Sequence, residues 1–386
     1  MTFLAAEPNE QLAQISNYLI YSAMAVYVLA FFAYIAEWTF GGRSKVARTA
    51  AALTGHARTA EGGEESAAKA SAVPAQGGVS VQVKSQGGTA VLEKPAAGKA
   101  GGGPKIVTRS SAGKRGELPD GPGAAGGDEQ GDMYGRIAIS LTVLAFLLHT
   151  GGVLSRSLSV QRAPWGNMYE FSTAFSMVAV GAYLCFLLAK KKVRWIGLPL
   201  VTTVLLDLGL AVTVFYTDSD QLVPALHSYW LWIHVSLAII CGALFYLGFV
   251  GSLLYLFRDS YESKLLRGGK PSKAAASIME RLPSANSLDK FAYRINAAVF
   301  PFWTFTIVAG AIWAGDAWGR YWGWDPKEVW SFITWVAYAS YLHARATAGW
   351  KGRKAAYLAL LAFACFLFNY YGVNVFFNGK HSYAGI

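Results

Sequence analysis

Charged residues and cysteines are scarce in this sequence. Only 15% of its 386 residues are charged, and only three are cysteine. Cys185, Cys241 and Cys365 each lie within an apolar stretch, and none belongs to a CxxC pair or a CxxCH motif. This pattern excludes a disulfide scaffold, a zinc ribbon and a c-type haem attached to the chain itself.

Long apolar segments dominate the chain instead. Hydrophobic residues make up 54% of it and aromatic residues 14%. Apolar runs of about 20 residues predict membrane spans, and these must be helical because lipid offers no partner for exposed backbone amides. We predict about eight transmembrane helices, at residues 16–38, 136–154, 169–189, 195–215, 230–257, 297–315, 331–348 and 355–371.

The basic residues indicate the orientation of these spans. With the N-terminus outside, 29 of the 34 Lys and Arg residues fall in inner segments, and the outer segments hold only Arg156, Arg162, Arg320, Lys327 and Lys380. The short loops KKKVR at 190–194 and WKGRK at 350–354 agree with this positive-inside bias. We therefore predict an all-α polytopic protein of the plasma membrane with extracytoplasmic N- and C-termini. The net charge of +11 is then a topology signal and gives no reason to invoke nucleic acid.

Composition divides the chain into three regions. We expect residues 1–42 to form a permanent N-terminal transmembrane helix rather than a cleaved signal peptide. The apolar run is long, and the only charged residues before it are the acidic Glu7 and Glu10. Residues 43–133 are rich in Gly, Ala, Pro and Lys and predict a disordered cytoplasmic linker. Residues 134–386 form the main membrane domain.

The segment WGRYWGWDPKEVW at 318–330 concentrates four tryptophans among charged residues. Interface belts explain isolated Trp and Tyr residues, but they do not require interleaved carboxylates and a proline. The predicted topology places this segment, His234 and His381 on the outer face. An aromatic surface flanked by two imidazoles is typical of a haem site, because haem iron takes axial histidine ligands and the porphyrin needs apolar contact.

Four segments in order resemble one family. WGWDPKEVWSFITWVAYASYLHAR at 322–345 resembles the tryptophan-rich WWD signature of haem-handling membrane proteins, and we place the WWD segment at 316–331. APWGNMYEF at 163–171, VPALHSYWLWIHV at 223–235 and GVNVFFNGKHSYAG at 372–385 are similar to the CcsA/ResC family of system II cytochrome c biogenesis. The resemblance covers residues from about 135 to the end.

This resemblance implies a haem-presenting, and by extension haem-translocating, subunit of a cytochrome c synthase (haem lyase) complex. Haem b would be the bound substrate, attached outside to the CxxCH of an apocytochrome c by thioether formation. The implied partners are a ResB-type membrane protein and apocytochrome c, with thiol-reducing proteins as further candidates. His234 and His381 would be the axial ligands, and His343 would belong to a haem uptake or transit site in the bilayer.

The remaining site residues surround the signature. We expect Trp318, Trp322 and Trp324 to form the haem platform, and Arg320 or Lys327 to contact the propionates. Asp325 and Glu328 would hold the loop or the histidines. Asp325 before a proline, with Glu328 three residues on, also predicts a helix N-cap with its capping partner.

Other polar residues carry weaker predictions. Glu170 begins the third predicted helix, where a helix dipole favours a carboxylate, and the resemblance gives it a site-supporting role. Asp207 is an ionisable residue inside a span, which by itself suggests function. His227 departs from the family pattern, which makes it a weaker ligand than His234, and His149 has no motif around it.

Three other classes of protein fit parts of the sequence. A diheme cytochrome b subunit would place histidine pairs at similar depths in facing helices. A solute transporter would show matched broken helices near the midplane, and the sequence has no such pair. A system I haem-handling protein shares the WWD signature but not the segments around His234 and His381.

Overall fold

The computed structural model describes residues 8–40, 129–222 and 228–381 of the chain, and helices dominate these parts. The predicted linker 43–133 lies outside the described residues except for its last few positions, and so do His56 and His227. The helices are α1 (Glu10–Phe40), α2 (Glu129–Val160), α3 (Met168–Leu188), α4 (Gly197–Thr213), α5 (Tyr229–Leu266), α6 (Lys273–Met279), α7 (Ala285–Trp318), α8 (Pro326–Ala346), α9 (Arg353–Leu367) and α10 (Val373–Phe376). A short 3₁₀ turn, Arg194–Ile196, precedes α4, and a π-helical turn, Phe368–Gly372, joins α9 to α10.

Seven helical stretches in the described residues are long and apolar enough to cross a membrane. They are α1 to α5, α7 and the stretch from α9 through α10. This confirms the prediction of an all-α polytopic membrane protein.

The eighth predicted span, 331–348, coincides with α8 but is not among those seven. Its 21 residues extend about 31 Å at 1.5 Å per residue, which matches the hydrocarbon thickness of a bilayer. Its Trp, Tyr, Ser, Thr and ionisable residues lower its mean hydropathy. The length of α8 therefore favours a membrane crossing, and its composition does not. The count of eight transmembrane helices stays a prediction.

The N-terminal helix α1 is packed into the bundle rather than standing apart. It lies along α2, and a Cβ added to Gly152 would sit 2.8 Å from the Ile20 side chain, so this glycine permits close helix contact. Nearby, the Ser16 hydroxyl donates to the Gly152 carbonyl at 2.7 Å. At the other end of α1, Arg281 donates to the Glu37 carbonyl at 2.6 Å.

Helix pairs bring five segments together at one end of the bundle. α5 packs against α7, and α8 packs against α9. As a result the start of α5, the end of α7, the start of α8, the π-helical turn and the loop before α3 surround one cavity. Away from this cavity, the ion pair Arg345–Asp289 joins α8 to α7, and Arg353–Asp259 joins α9 to α5.

Candidate functional site: a cavity with two histidines

The cavity has an empty volume of about 1370 Å³, including space open to solvent. Aromatic and aliphatic residues form most of its wall, and polar residues are interspersed among them, as in other small-molecule sites. The aromatic lining consists of Trp165, Phe171, Trp303, Trp313, Trp318, Tyr321, Trp322, Phe366 and Tyr370. His234 and His381 both line it, although they are 147 positions apart in the sequence.

His234 projects from the second turn of α5, a helix whose N-cap is Ser228. Its Nδ1 lies 2.8 Å from the Thr306 carbonyl oxygen of α7. Because a carbonyl oxygen only accepts, Nδ1 must carry the proton, and Nε2 keeps its lone pair. This is the form of imidazole that binds a metal ion.

Gly310 makes room for the His234 ring. A Cβ at this position would lie 2.5 Å from His234 Cε1 and 2.8 Å from Nδ1, closer than real Cβ contacts. Trp313, on the same helix, meets the ring edge-on at 5.9 Å. Two turns of α7 therefore fix both the tautomer and the position of His234.

His381 reaches the cavity from beyond the end of α10. Its Nδ1 lies 2.9 Å from Asp325 Oδ1, so Nδ1–H donates to the carboxylate and Nε2 is again left as the acceptor. The Trp318 ring packs edge-on against it at 4.8 Å. A carboxylate behind a metal-binding histidine is the usual arrangement for fixing its orientation.

The WWD segment changes from one helix to the next within a few residues. α7 ends after Trp318 with Gly319 in the left-handed region, at φ 67°. α8 then begins with Asp325 as N-cap and Pro326 in its first turn, and Glu328 completes a capping box. The predicted N-cap is therefore confirmed.

Asp325 combines the cap with a second contact. Its Oδ1 accepts from the Lys327 backbone N–H at 3.2 Å and from His381, and its Oδ2 accepts from the Lys380 N–H at 2.6 Å. Burial alone would raise the pKa of Asp325, but these hydrogen bonds outweigh it and lower the pKa to about 2. The Asp325 carboxylate thus links the start of α8 to the segment that carries His381.

The three predicted platform tryptophans do not occupy equivalent places. Trp318 and Trp322 line the cavity. Trp324 is 70% exposed and meets the Trp322 ring edge-on at 5.8 Å. Its φ of 57° lies in the left-handed region, which is uncommon for a bulky residue.

Aromatic residues of the helices complete the wall. Trp303 and Trp313 of α7 and Trp165 of the loop before α3 line the cavity, and their indole nitrogens are buried with no hydrogen-bond partner. Sequence reasoning missed Trp303 and Trp313, because a tryptophan inside an apolar run carries no local mark of a site. Trp165 lies in APWGNMYEF, which carried the family resemblance, but was not singled out as a site residue.

The two predicted cationic residues also differ. Arg320 Nη1 contacts Glu328 Oε1 at 3.2 Å, and Arg320 is not part of the cavity lining. Lys327 lines the cavity and donates through Nζ to the Asn369 carbonyl at 2.7 Å. Burial lowers the pKa of Lys327 to about 7, and the neighbouring Asp325 charge opposes part of that effect.

Glu170 is buried at the start of α3 and supports one wall of the cavity. It pairs with Arg156 at 3.1 Å and with Arg162 at 2.7 Å. Its Oε2 accepts from the backbone N–H of Gly166, which lines the cavity, at 2.8 Å. This contact is consistent with the predicted site-supporting role of Glu170, which stays a prediction.

His343, Asp207 and His149 lie away from the cavity lining. His343 is exposed near the end of α8. Asp207 is buried and accepts hydrogen bonds from Ser176 at 2.6 Å and Tyr371 at 2.5 Å, so it joins α3 and α4 to the π-helical turn. His149 is fully buried, with the Tyr27 hydroxyl 3.4 Å from its Nδ1.

Fold and cavity together define a polytopic helical membrane protein whose aromatic-rich pocket is lined by two histidines, each with its tautomer fixed by a hydrogen bond. Residues 137–381, which include the whole cavity, match the sequence model of a family described as "Cytochrome C assembly protein". The chain belongs to this family.

Individual relatives extend the comparison. The chain is similar to a protein named cytochrome c biogenesis protein CcsA from Trieres chinensis, at 35% identity over 272 residues, covering 64% of this chain and 84% of the relative. A protein of that name from Synechococcus sp. (strain JA-3-3Ab) is 32% identical over 297 residues, covering 65% and 84%. One from Heterosigma akashiwo (strain NIES-293 / 8280G21-1) is 37% identical over 246 residues, covering 57% and 76%. Helix α1 precedes the range that the family matches.

Proposed function

We propose that this chain holds haem b as a bound substrate and presents it to apocytochrome c as one subunit of a cytochrome c synthase. Family membership supplies the role in cytochrome c biogenesis. The observation that carries the haem assignment is the pair of cavity histidines whose Nδ1 protons are both held by fixed oxygen acceptors. Both Nε2 atoms are then available as axial ligands.

The other cavity residues fit a porphyrin. Trp318, Trp322 and the tryptophans of α7 supply flat apolar contact, and Gly310 leaves space beside the His234 ring. Ligation by two neutral histidines would occupy both axial positions of the iron and set its reduction potential. The same residues would keep other ligands away from the iron until an apocytochrome arrives.

Attachment then requires little chemistry from the chain itself. A cysteine thiol of apocytochrome c adds across a haem vinyl group: the sulfur forms a bond to one vinyl carbon, and the thiol proton ends on the other. No net oxidant or reductant is consumed. The contribution of this chain is proximity, because holding the haem in one orientation makes the addition effectively intramolecular.

The proposal extends to topology and partners. The cavity would face the extracytoplasmic side of the plasma membrane, as the basic loops predict. A ResB-type membrane protein would complete the synthase, and thiol-reducing proteins would keep the apocytochrome cysteines reduced. His343, which lies apart from the cavity, would serve haem transit through the bilayer.

The test is the absorbance spectrum of the purified full-length protein. We expect co-purified b-type haem with the spectrum of bis-histidine ligation. His234→Gly and His381→Gly should each lose the haem, and added imidazole should restore it by replacing the missing ligand. His56→Gly, far in sequence from every cavity residue, is the matched control and should leave the spectrum unchanged. Wild-type protein that neither carries nor takes up haem would refute the proposal.

A further inference from the structure

We propose that Lys327 is the cavity residue that binds a carboxylate group of the ligand. The inference rests on the proposed function, since haem is a flat apolar molecule with carboxylates along one edge. It separates two residues that the sequence treated as equivalent, Arg320 and Lys327.

Among the described residues that line the cavity, Lys327 is the one lysine or arginine, and its ammonium group has hydrogen-bond donors left over. An ammonium group has three hydrogen-bond donors. One is used on the Asn369 carbonyl at 2.7 Å, and the Tyr370 ring centroid lies 5.9 Å from Nζ. Among the described residues, no carboxylate forms an ion pair with this ammonium group.

The two nearest carboxylates in the sequence have other hydrogen-bond partners. Asp325 accepts from His381 and from two backbone N–H groups. Glu328 accepts from the backbone N–H groups of Gly323 at 2.8 Å and Asp325 at 3.1 Å, and it pairs with Arg320. Glu328 also lines the cavity, but its charge is balanced by Arg320. Among the described lining residues, Lys327 therefore offers an anionic ligand a positive charge that no carboxylate pairs with.

Arg320 is a poor candidate for the same task. Its guanidinium group is held by Glu328 and lies 5.9 Å from the Trp318 ring centroid. A ligand carboxylate would have to displace Glu328, which would in turn release a carboxylate at the start of α8. Arg320 therefore helps to build the WWD turn.

The π-helical turn gives Lys327 a polar surrounding. Asn369 donates through Nδ2 to the Ser331 hydroxyl at 3.1 Å, and its buried Oδ1 has no partner. Asn374 donates to the Tyr370 carbonyl at 2.5 Å. Polar side chains thus cluster on this wall, whereas aromatic and aliphatic residues make up most of the rest of the lining. A π turn inside a helical segment is frequent at functional sites.

Burial supports the assignment. Moving Lys327 out of water lowers its pKa to about 7, so the ammonium form is costly without an anion beside it. A bound carboxylate would favour the charged form. An amphipathic ligand with its carboxylate edge at Lys327 and its apolar body among the tryptophans would satisfy both parts of the cavity.

The test compares haem with haem dimethyl ester, in which both propionates are esterified and uncharged. Each is titrated into detergent-solubilised, haem-depleted full-length protein, and binding is followed by absorbance. Wild-type protein should bind haem at least about tenfold more tightly than the ester, the effect of one hydrogen bond to a charged group. Lys327→Met should bind the two equally, with ester affinity close to wild type. Lys354→Met removes a lysine outside the cavity lining and is the matched control, so it should keep the preference.

The outcomes distinguish the inference from the function on which it rests. Wild-type protein that binds neither compound contradicts the proposed function. Wild-type protein that binds both equally, or a Lys327→Met variant that keeps the wild-type preference, overturns the role of Lys327 alone. If Lys327→Met fails to bind even the ester, Lys327→Gln is compared in its place: equal affinities for haem and ester in that variant support the role of Lys327, and the wild-type preference in it overturns that role.

Discussion

Asp325→Asn separates two tasks that one carboxylate performs. Asp325 caps α8, and it also accepts the Nδ1–H of His381 at 2.9 Å. Asparagine is as good an N-cap as aspartate, so the helix start should survive the change. The hydrogen bond from His381 would then be accepted by an uncharged side chain, and the amide nitrogen of that side chain could turn toward His381 Nδ1–H, which is itself a donor.

The size of the effect follows from these contacts. A hydrogen bond to a charged group contributes about 1.5–3 kcal/mol and a neutral one about 0.5–1.5 kcal/mol. The loss is therefore about 1–1.5 kcal/mol, which corresponds to roughly five- to tenfold weaker haem binding. Asp325→Ala should show a larger loss of affinity, and it should also lose about 1 kcal/mol of stability with the cap.

Two assays on the same preparations resolve the two contributions. Haem titration by absorbance measures affinity, and denaturant unfolding of the haem-free protein measures stability. Ser272→Ala is the control, because Ser272 caps the short helix α6 outside the cavity lining and should cost stability without changing haem affinity. If Asp325→Asn binds haem as tightly as wild type while Asp325→Ala does not, Asp325 acts only through its helix, and the reasoning about His381 is wrong.

Two other perturbations probe the cavity. Gly310→Ala should weaken haem binding at least about tenfold, because its Cβ would lie 2.5 Å from His234 Cε1. Gly209→Ala is the control: its Cβ meets nothing within 4 Å, so it should bind haem normally and leave the protein's stability unchanged or higher. Equal haem affinity of the two variants would refute this. The preference for haem over its dimethyl ester should be greatest near pH 6 and should decline toward pH 9. Burial lowers the pKa of Lys327 to about 7 despite the opposing charge of Asp325, and only the protonated amine attracts a carboxylate. A ratio of affinities that stays constant from pH 6 to pH 9 would argue against Lys327.

Several features could be predicted because their signals are local in the sequence. Apolar runs predict helices that cross lipid, and the structure has a helix at each of them. The order Asp-Pro-x-Glu predicts a capped helix start, and Asp325 and Glu328 form that cap. The Trp-rich segment and two of the histidines also stood out by composition, and the structure places them around one cavity.

Other features depend on which helices are neighbours. Thr306 and Gly310 look like ordinary residues of an apolar helix, yet they fix His234 of a different helix. Arg320 and Lys327 are equally basic, but their different contacts appear only when the turn before α8 is folded. Trp324 lies outside the cavity lining and has a left-handed backbone conformation, and composition reveals neither.

The sequence by itself determined the class of protein, the helix positions and the residue types from which a haem site can be built, because these depend on hydropathy and short-range spacing. Only the tertiary structure decided that His381 is held by Asp325 and His234 by Thr306, and that Lys327 faces the cavity while Arg320 does not. These choices depend on contacts between segments far apart in the chain, and hydrogen bonds of a few ångströms cannot be read from residue order.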